Sequence, residues 1–264
     1  MREDEQGKVF QDPYALSLLP EARVMLIKQS LGGCDEDISQ ALQNIPFASQ
    51  VLSRSAFVEK EFTASGGAQY VQYGSGLDSF CLRHPEGKNF EMDRPAMMAF
   101  KKEQLLRIQG KLPEQTVFIP IDVLMQDAYE VVVNHGFMDQ EKSFHCLMGL
   151  LMYCRPEEVE QLFLLLSKLC VSGSEVVFDC FDETTFSDQN STPGFKQWLA
   201  QGKLTGEVFQ SLWSKKQLER LALEQGFSMK TYLDPSKIEQ LYFSQGENAY
   251  HACEHVQYVK FMKL

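Results

Sequence analysis

The chain has 264 residues, 44% hydrophobic and 23% charged, which is enough apolar material to close one sizeable core in a single α/β domain. Its formal net charge of -11, with no run of Lys and Arg to offset it, argues against a nucleic-acid or anionic-membrane surface and for a small molecule or a protein segment as partner. The longest apolar run, around residues 162–166, is far short of the roughly 20 residues of a membrane span, and the acidic start MREDEQGKVF lacks the apolar stretch of a secretory signal, so a cytoplasmic location is expected.

Residues 13–64 carry helical patterning. Asp12-Pro13 opens a first helix, LGGCDED reads as a loop, and residues 38–63 read as helix broken near Pro46, which cannot donate a backbone hydrogen bond. From residue 69 the pattern changes to strands alternating with helices: QYVQY, NFEM, TVFIPI, SFHCLM and EVVFDC. Near-continuous apolar strands at this pace predict a mostly parallel sheet covered on both faces. The helix AMMAFKKEQLLRIQ is bracketed by Pro95 at its start and Gly110 at its end, and VEQLFLLLSKL follows Arg155-Pro156-Glu157-Glu158, with carboxylates at the positive end of the helix dipole.

The polar, Gly-bearing stretch 181–213 is too long for an ordinary connection and reads as an inserted lid. A helix KKQLERLALEQ, a strand FSMKTYL, a helix around SKIEQLYF and a strand HVQYVKFMKL complete the chain. The expected organisation is one domain, 1–264, made of an N-terminal helical cap segment 1–66, a cofactor-binding core 67–180, the lid insert 181–213 and the C-terminal part of the sheet 214–264. The seven cysteines, with no CxxC pair, read as reduced thiols packed as small hydrophobes.

The chemistry concentrates at strand ends. After the first strand, Gly74-Ser75-Gly76 lets a backbone approach a ligand closely, although a tight structural turn explains such a pair equally well. Ser79 stands where a dinucleotide fingerprint wants its third glycine. The second strand ends in Asp93, placed either to accept from ribose hydroxyls or to cap the helix beginning at Pro95. Asp122 follows the third strand and is either a loop aspartate or an adenine contact. Asp179, Asp182, Glu183 and Asp188 after the fifth strand read as a solvated lid, with a magnesium site as the rival.

YVQYGSGLDSFCLR resembles the G-x-G-x-D-[ST] motif of the leucine carboxyl methyltransferase-like family of S-adenosylmethionine-dependent enzymes. FEMDRPAMMAFKKEQL, FIPIDV, GLLMYCRPEEV, SEVVFDC and the early QDPYA are similar to its other segments in the same order, so the resemblance runs through nearly the whole chain. The bacterial O-methyltransferase branch associated with polyketide-type metabolism is the nearest look. The resemblance implies a Rossmann-like class I methyltransferase fold, a doubly wound, mostly parallel seven-stranded sheet with N-terminal helices and an inserted lid. It also implies S-adenosyl-L-methionine as cofactor, S-adenosyl-L-homocysteine as product, and no metal.

By the same resemblance, Arg54 pairs with the carboxylate of the cofactor's methionine part. Gly74, Ser75 and Gly76 form the turn beneath it, Asp93 with Arg94 takes the ribose, and Asp122 with Val123 meets the adenine. Asp78 holds the loop. Met148 stands where the eukaryotic enzymes carry a Glu just before the GLLMY segment, and an upstream basic residue of those enzymes has no match here. No catalytic residue is assigned. His145 and Tyr153 are the candidates for a base, each with a structural rival: a hydrogen-bonded interior histidine and aromatic packing. The expected reaction is methyl transfer to a carboxylate or hydroxyl of a small metabolite by a monomer or weak homodimer. The alternatives are methylation of a peptide or protein C-terminus, a non-catalytic S-adenosylmethionine-binding protein and, more distantly, an NAD-dependent reductase.

Overall fold

A computed structural model of the protein describes residues 9–30, 48–66, 69–124, 128–187, 189, 191–206, 208–244 and 250–264. Its centre is one sheet of seven strands: β1 (Gln69–Tyr73), β2 (Lys88–Asp93), β3 (Thr116–Pro120), β4 (Ser143–Leu147), β5 (Glu175–Phe181), β6 (Phe227–Leu233) and β7 (Val256–Lys263). The order across the sheet is β3-β2-β1-β4-β5-β7-β6. The first five strands are parallel to one another, and β7 runs antiparallel between β5 and β6. The strand order reverses between β1 and β4, and an open α/β sheet binds its ligand in the crevice beyond the carboxyl ends of the strands at that point.

The helices are α1 (Ala15–Leu18), α2 (Glu21–Ser30), α3 (Ala48–Ser65), α4 (Phe80–Arg83), α5 (Pro95–Gln109), α6 (Ala128–Asn134), α7 (Pro156–Leu169), α8 (Pro193–Thr205), α9 (Lys215–Glu224) and α10 (Pro235–Ile238). Side chains alternate across each strand, so one face of the sheet buries Val71, Tyr73 and Phe178 against α6, α7 and α9. The other buries Tyr70, Val177 and Phe181 against α3, α8 and α10. A smaller cluster joins Leu18, Leu82 and Leu105 around α1, α4 and α5.

All seven strands expected from the apolar runs are present. So is the bracketed helix α5, with Pro95 in its first turn and Gly110 left-handed at φ 72°, its N–H closing on the Leu106 carbonyl at 2.8 Å. Two local expectations change, and a third falls partly beyond the described residues. The N-terminal helical pattern stops at Leu18 and restarts at Glu21, because Pro20 interrupts it. The helix beyond Pro46 is described over Ala48–Ser65, and the expected segment 38–47 lies outside the described residues. The helix around SKIEQLYF is one α-turn that widens into a π-turn, Glu239–Phe243.

The insert packs over the carboxyl ends of β4 and β5. Gln210 N–H donates to the Met152 carbonyl and Trp213 N–H to that of Phe181, both at 2.8 Å, while Ser211 Oγ donates to the Leu151 carbonyl at 2.8 Å. His255, at φ 63°, ties the start of the insert to the segment entering β7: its Nδ1 lies 3.1 Å from Asp182 Oδ2 and its Nε2 3.1 Å from Ser191 Oγ. Phe195, Trp198 and Phe209 of the insert share an apolar cluster with Phe57 of α3, Met148 and Tyr153, so the insert and α3 cover the same face of the sheet.

Candidate cofactor and active site

β1 carries two glutamines among aromatic and aliphatic residues, and each has a defined partner. Gln69 exchanges hydrogen bonds with the Met138 backbone, 2.9 Å out and 2.8 Å back. Gln72 donates to Asp78 Oδ2 at 2.9 Å. The strand then breaks at Gly74 and Gly76, both left-handed at φ 67° and 47°, a conformation that L side chains rarely adopt. The Gly74 and Ser75 N–H groups both donate to the Met92 carbonyl, at 2.9 and 3.0 Å, and Gly76 N–H donates to Asp93 Oδ2 at 2.7 Å. The turn is thereby folded onto the end of β2.

Asp93 accepts from Gly76 with one oxygen and from its neighbour Arg94 N–H with the other, at 2.7 Å. The cap position of α5 is Arg94, whose side chain makes no capping bond, so Asp93 joins the two loops instead of capping the helix. A carboxylate has about four lone-pair sites, and two acceptor sites remain for ribose hydroxyls. Ser75 is buried, and its hydroxyl has no hydrogen-bond partner among the described residues. Asp122 Oδ1 accepts from Leu124 N–H at 3.1 Å, and its Oδ2 lies 3.7 Å from the exposed Arg94. Val123 is buried in the core beneath this edge with Ile121.

Asp78 is a structural acid. Its Oδ1 accepts from Phe80 N–H at 2.9 Å and from Arg83 at 3.2 Å, while Oδ2 takes Gln72. Burial by itself would raise its pKa, but the charges of Arg83 and Lys101 and the two hydrogen bonds outweigh it and hold the carboxyl below the usual range. Arg83 also reaches Glu59 Oε1 of α3 at 2.8 Å and Asp12 Oδ2 at 3.2 Å, and so ties the N-terminal segment and α3 to the turn.

Met148 sits half-buried in the turn after β4, against the insert's apolar cluster. Arg54 of α3 reaches the same turn. Its side chain is 28% exposed, and its one charged contact among the described residues is Asp179, at 3.8 Å. Tyr153 is half-buried and stacks on Phe209 with ring centroids 5.4 Å apart. His145 is fully buried on β4, with Nδ1 2.9 Å from the Tyr73 hydroxyl and Nε2 2.8 Å from Ser143 Oγ. Burial lowers its pKa to about 3, so the ring is neutral and both nitrogens face interior partners. That is the interior-histidine arrangement, turned away from a base's work.

One reading of the sequence is corrected here. Asp179 does not belong to a solvated acidic lid: it lies within β5 and is fully buried. Asp182 pairs with His255, and Asp188 lies outside the described residues. Among the described residues, no three His, Cys, Asp or Glu side chains are grouped to hold a metal ion. The cleft lined by Thr185, Ser191, Lys196, Leu199 and Lys203 belongs to the insert itself and includes none of the cofactor candidates. No helix among the described residues is long and apolar enough to cross a membrane.

The structure thus brings Gly74, Ser75, Gly76, Asp93, Arg94, Asp122 and Val123 to the ends of three adjacent strands, with Arg54 and Met148 beside the turn after β4. A model of the leucine carboxyl methyltransferase family matches residues 1–166, more than half of the 264. The chain belongs to the leucine carboxyl methyltransferase family.

Its relatives agree. YktD of Bacillus subtilis strain 168, provisionally named an S-adenosyl-L-methionine-dependent methyltransferase, is 29% identical over 97% of this chain and 91% of its own length. A provisionally so-named methyltransferase of Mycolicibacterium gilvum is 27% identical over 70% of this chain, a match that spans 64% of the mycobacterial protein. Among solved structures, the chain resembles magnesium protoporphyrin IX methyltransferase from Synechocystis at TM-score 0.53 and 12% identity, over 84% of this chain and 87% of that one. It resembles the mitomycin 7-O-methyltransferase MmcR at TM-score 0.52 and 13% identity, over 96% and 76%. At such identities the likeness is one of fold, and the fold is that of the class I methyltransferases. As a family member the chain is an S-adenosylmethionine-dependent methyltransferase.

The residues present fit that cofactor. Asp93 has acceptor capacity for a ribose, the Ser75 hydroxyl is buried without a partner, Val123 and Ile121 give an apolar edge, and Arg54 offers a guanidinium for a carboxylate.

Proposed function

We propose that this methyltransferase acts on an oxygen, a carboxylate or hydroxyl, of a small metabolite. The observation that supports a small acceptor is the seating of the insert. Residues 210–213 are bonded to the chain at the carboxyl ends of β4 and β5, on the face that α3 also covers, and Tyr153, Trp198 and Phe209 pack there as an aromatic wall suited to a compact apolar molecule. The bound cofactor supplies an electrophilic methyl on a sulfonium. The chain's own contribution is to hold the acceptor oxygen in line, fix the cofactor through Asp93 and Arg54, and exclude water with the insert.

A base is dispensable for a carboxylate, which is ionised near neutral pH because its reference pKa is about 4. That suits a site in which His145, the histidine considered as a base, is neutral and turned inward. A hydroxyl acceptor would call on Tyr153 or on water.

The test is a metabolite panel incubated with S-adenosylmethionine and read by mass spectrometry. Expected is the gain of one CH2 on a small acid or hydroxylated aromatic, with stoichiometric S-adenosylhomocysteine. Mild base then separates the classes, since a methyl ester is cleaved and a methyl ether survives. Methylation confined to peptide C-termini, or cofactor binding without turnover on any acceptor, overturns the proposal.

A further inference from the structure

Asp179 breaks the pattern of its strand. On β5, Val176, Phe178 and Cys180 face one core, while Val177 and Phe181 face the other. Asp179 falls in the second set, where period-two alternation calls for an apolar residue. It is fully buried. An ionised carboxylate in such a place is heavily penalised unless hydrogen-bonded and paired, and apolar replacements of buried ion pairs are often the more stable choice. A side chain kept there against that gradient has a function to explain.

Its surroundings name one. Asp179 Oδ1 accepts from Gly149 N–H at 2.6 Å, and Oδ2 accepts from Gln50 Nε2 at 3.0 Å. Arg54 Nη1 lies 3.8 Å from Oδ2. Gln50 and Arg54 are four residues apart on α3, so both reach one carboxylate from the same face of the helix. Gly149, left-handed at φ 71°, leaves its backbone bare. A Cβ there would stand 2.8 Å from Arg54 Nη1, so the guanidinium lies directly on this turn. The arginine is held between a buried charge and a side-chain-free backbone while part of its fork stays exposed to the crevice.

We propose that Asp179 is a positioning residue for Arg54 and, through it, for the amino-acid tail of the cofactor. The carboxylate sets where the guanidinium sits, and Gln50 and Gly149 set the carboxylate. Met148 carries no charge on the turn after β4, so Asp179, from the next strand, supplies the negative charge that reaches this turn. The assignment rests on S-adenosylmethionine being the cofactor.

Calorimetric titration of wild type, Asp179→Asn, Arg54→Met and the double variant with two ligands tests it. S-adenosylhomocysteine carries the amino-acid tail, and 5′-methylthioadenosine keeps the adenosine and thioether without it. Expected is an affinity loss of about tenfold for S-adenosylhomocysteine in Asp179→Asn, with methylthioadenosine unchanged within about twofold and no further loss when the substitution is added to Arg54→Met. Equal loss of both ligands, additive losses in the double variant, or no loss overturns the proposal. If Asp179→Asn does not fold, Asp179→Leu, which removes the buried charge altogether, is read by the same criterion. A wild-type protein that binds neither ligand refutes the cofactor reading instead, so the two failures are distinguishable.

Discussion

The buried His145 ring makes the stability of this fold acid-sensitive. It is fully buried, with Tyr73 and Ser143 on its two nitrogens, and burial moves its pKa from 6.5 down to about 3. A depressed histidine means that the unfolded chain takes up a proton which the folded chain refuses between those two values. Stability from this source is therefore fully present above pH 6.5 and is lost as pH falls from there towards 3. Each unit below 6.5 removes about 1.4 kcal/mol, so at pH 5 the loss is about 2 kcal/mol, a large fraction of the roughly 5–15 kcal/mol that holds a domain together. Urea unfolding at pH 7.5, 6.5, 5.5 and 5.0 on wild type and His145→Asn measures it. The Asn variant is less stable at pH 7.5, because one hydrogen bond and some packing are gone. The gap to wild type then narrows by about 2 kcal/mol by pH 5, because only wild type loses the histidine contribution. Other titrating groups cancel in the difference. Parallel curves across this range would show that His145 accepts its proton in the folded state and would refute the reasoning.

Three further outcomes are expected. Asp93→Asn leaves one acceptor oxygen for the two N–H groups that Asp93 takes, those of Gly76 and Arg94, and weakens any bonds to ribose hydroxyls, so S-adenosylhomocysteine binding falls by about tenfold to a hundredfold in calorimetry and the melting temperature drops with it. Gly149→Ala meets both a left-handed backbone and the Arg54 guanidinium 2.8 Å from its Cβ, so it costs about 1–2 kcal/mol in thermal unfolding and loses S-adenosylhomocysteine affinity while 5′-methylthioadenosine binding persists. Arg83→Gln leaves Asp78, Glu59 and Asp12 short of their shared cation. With its side chain 11% exposed, a destabilisation of about 2 kcal/mol is expected by urea unfolding, and protease cleavage near residue 12 rises as the N-terminal segment loosens.

The strands were legible because each is a short apolar run closed by a turn residue, and α5 because Pro95 and Gly110 bracket it. Asp93 and the Gly74–Gly76 turn were legible as neighbours because each directly follows an apolar run, which puts both at carboxyl ends of strands, where open α/β sheets bind their ligands. The strand order was not. Slotting β7 antiparallel between β5 and β6 is a matter of non-local pairing that local periodicity does not encode. The Glu91–Lys101 pair, both side chains 1% exposed and 2.5 Å apart, was equally hidden, since each residue looks like an ordinary polar position on its own element. Asp179 carried a signal that was read in the wrong company. An acid inside the apolar run EVVFDCF is better grouped with its strand than with the polar residues that follow, and period two would have pointed it at α3.

Ser79 shows what the fold does with a position released from dinucleotide binding. The third glycine of that fingerprint lets helix and strand pack closely, and this chain puts a hydroxyl at the same seam. In this chain Ser79 is fully buried and donates to Asp12 Oδ1 at 2.6 Å, while its hydroxyl accepts from Arg83 Nη1 at 2.5 Å. Arg83 carries the same knot on to Asp78 under the turn and to Glu59 on α3, the helix that presents Arg54. The glycine turn, the N-terminal segment and α3 are thus fastened through one arginine. A substitution as far away in sequence as Asp12 therefore loosens the Gly74–Gly76 turn.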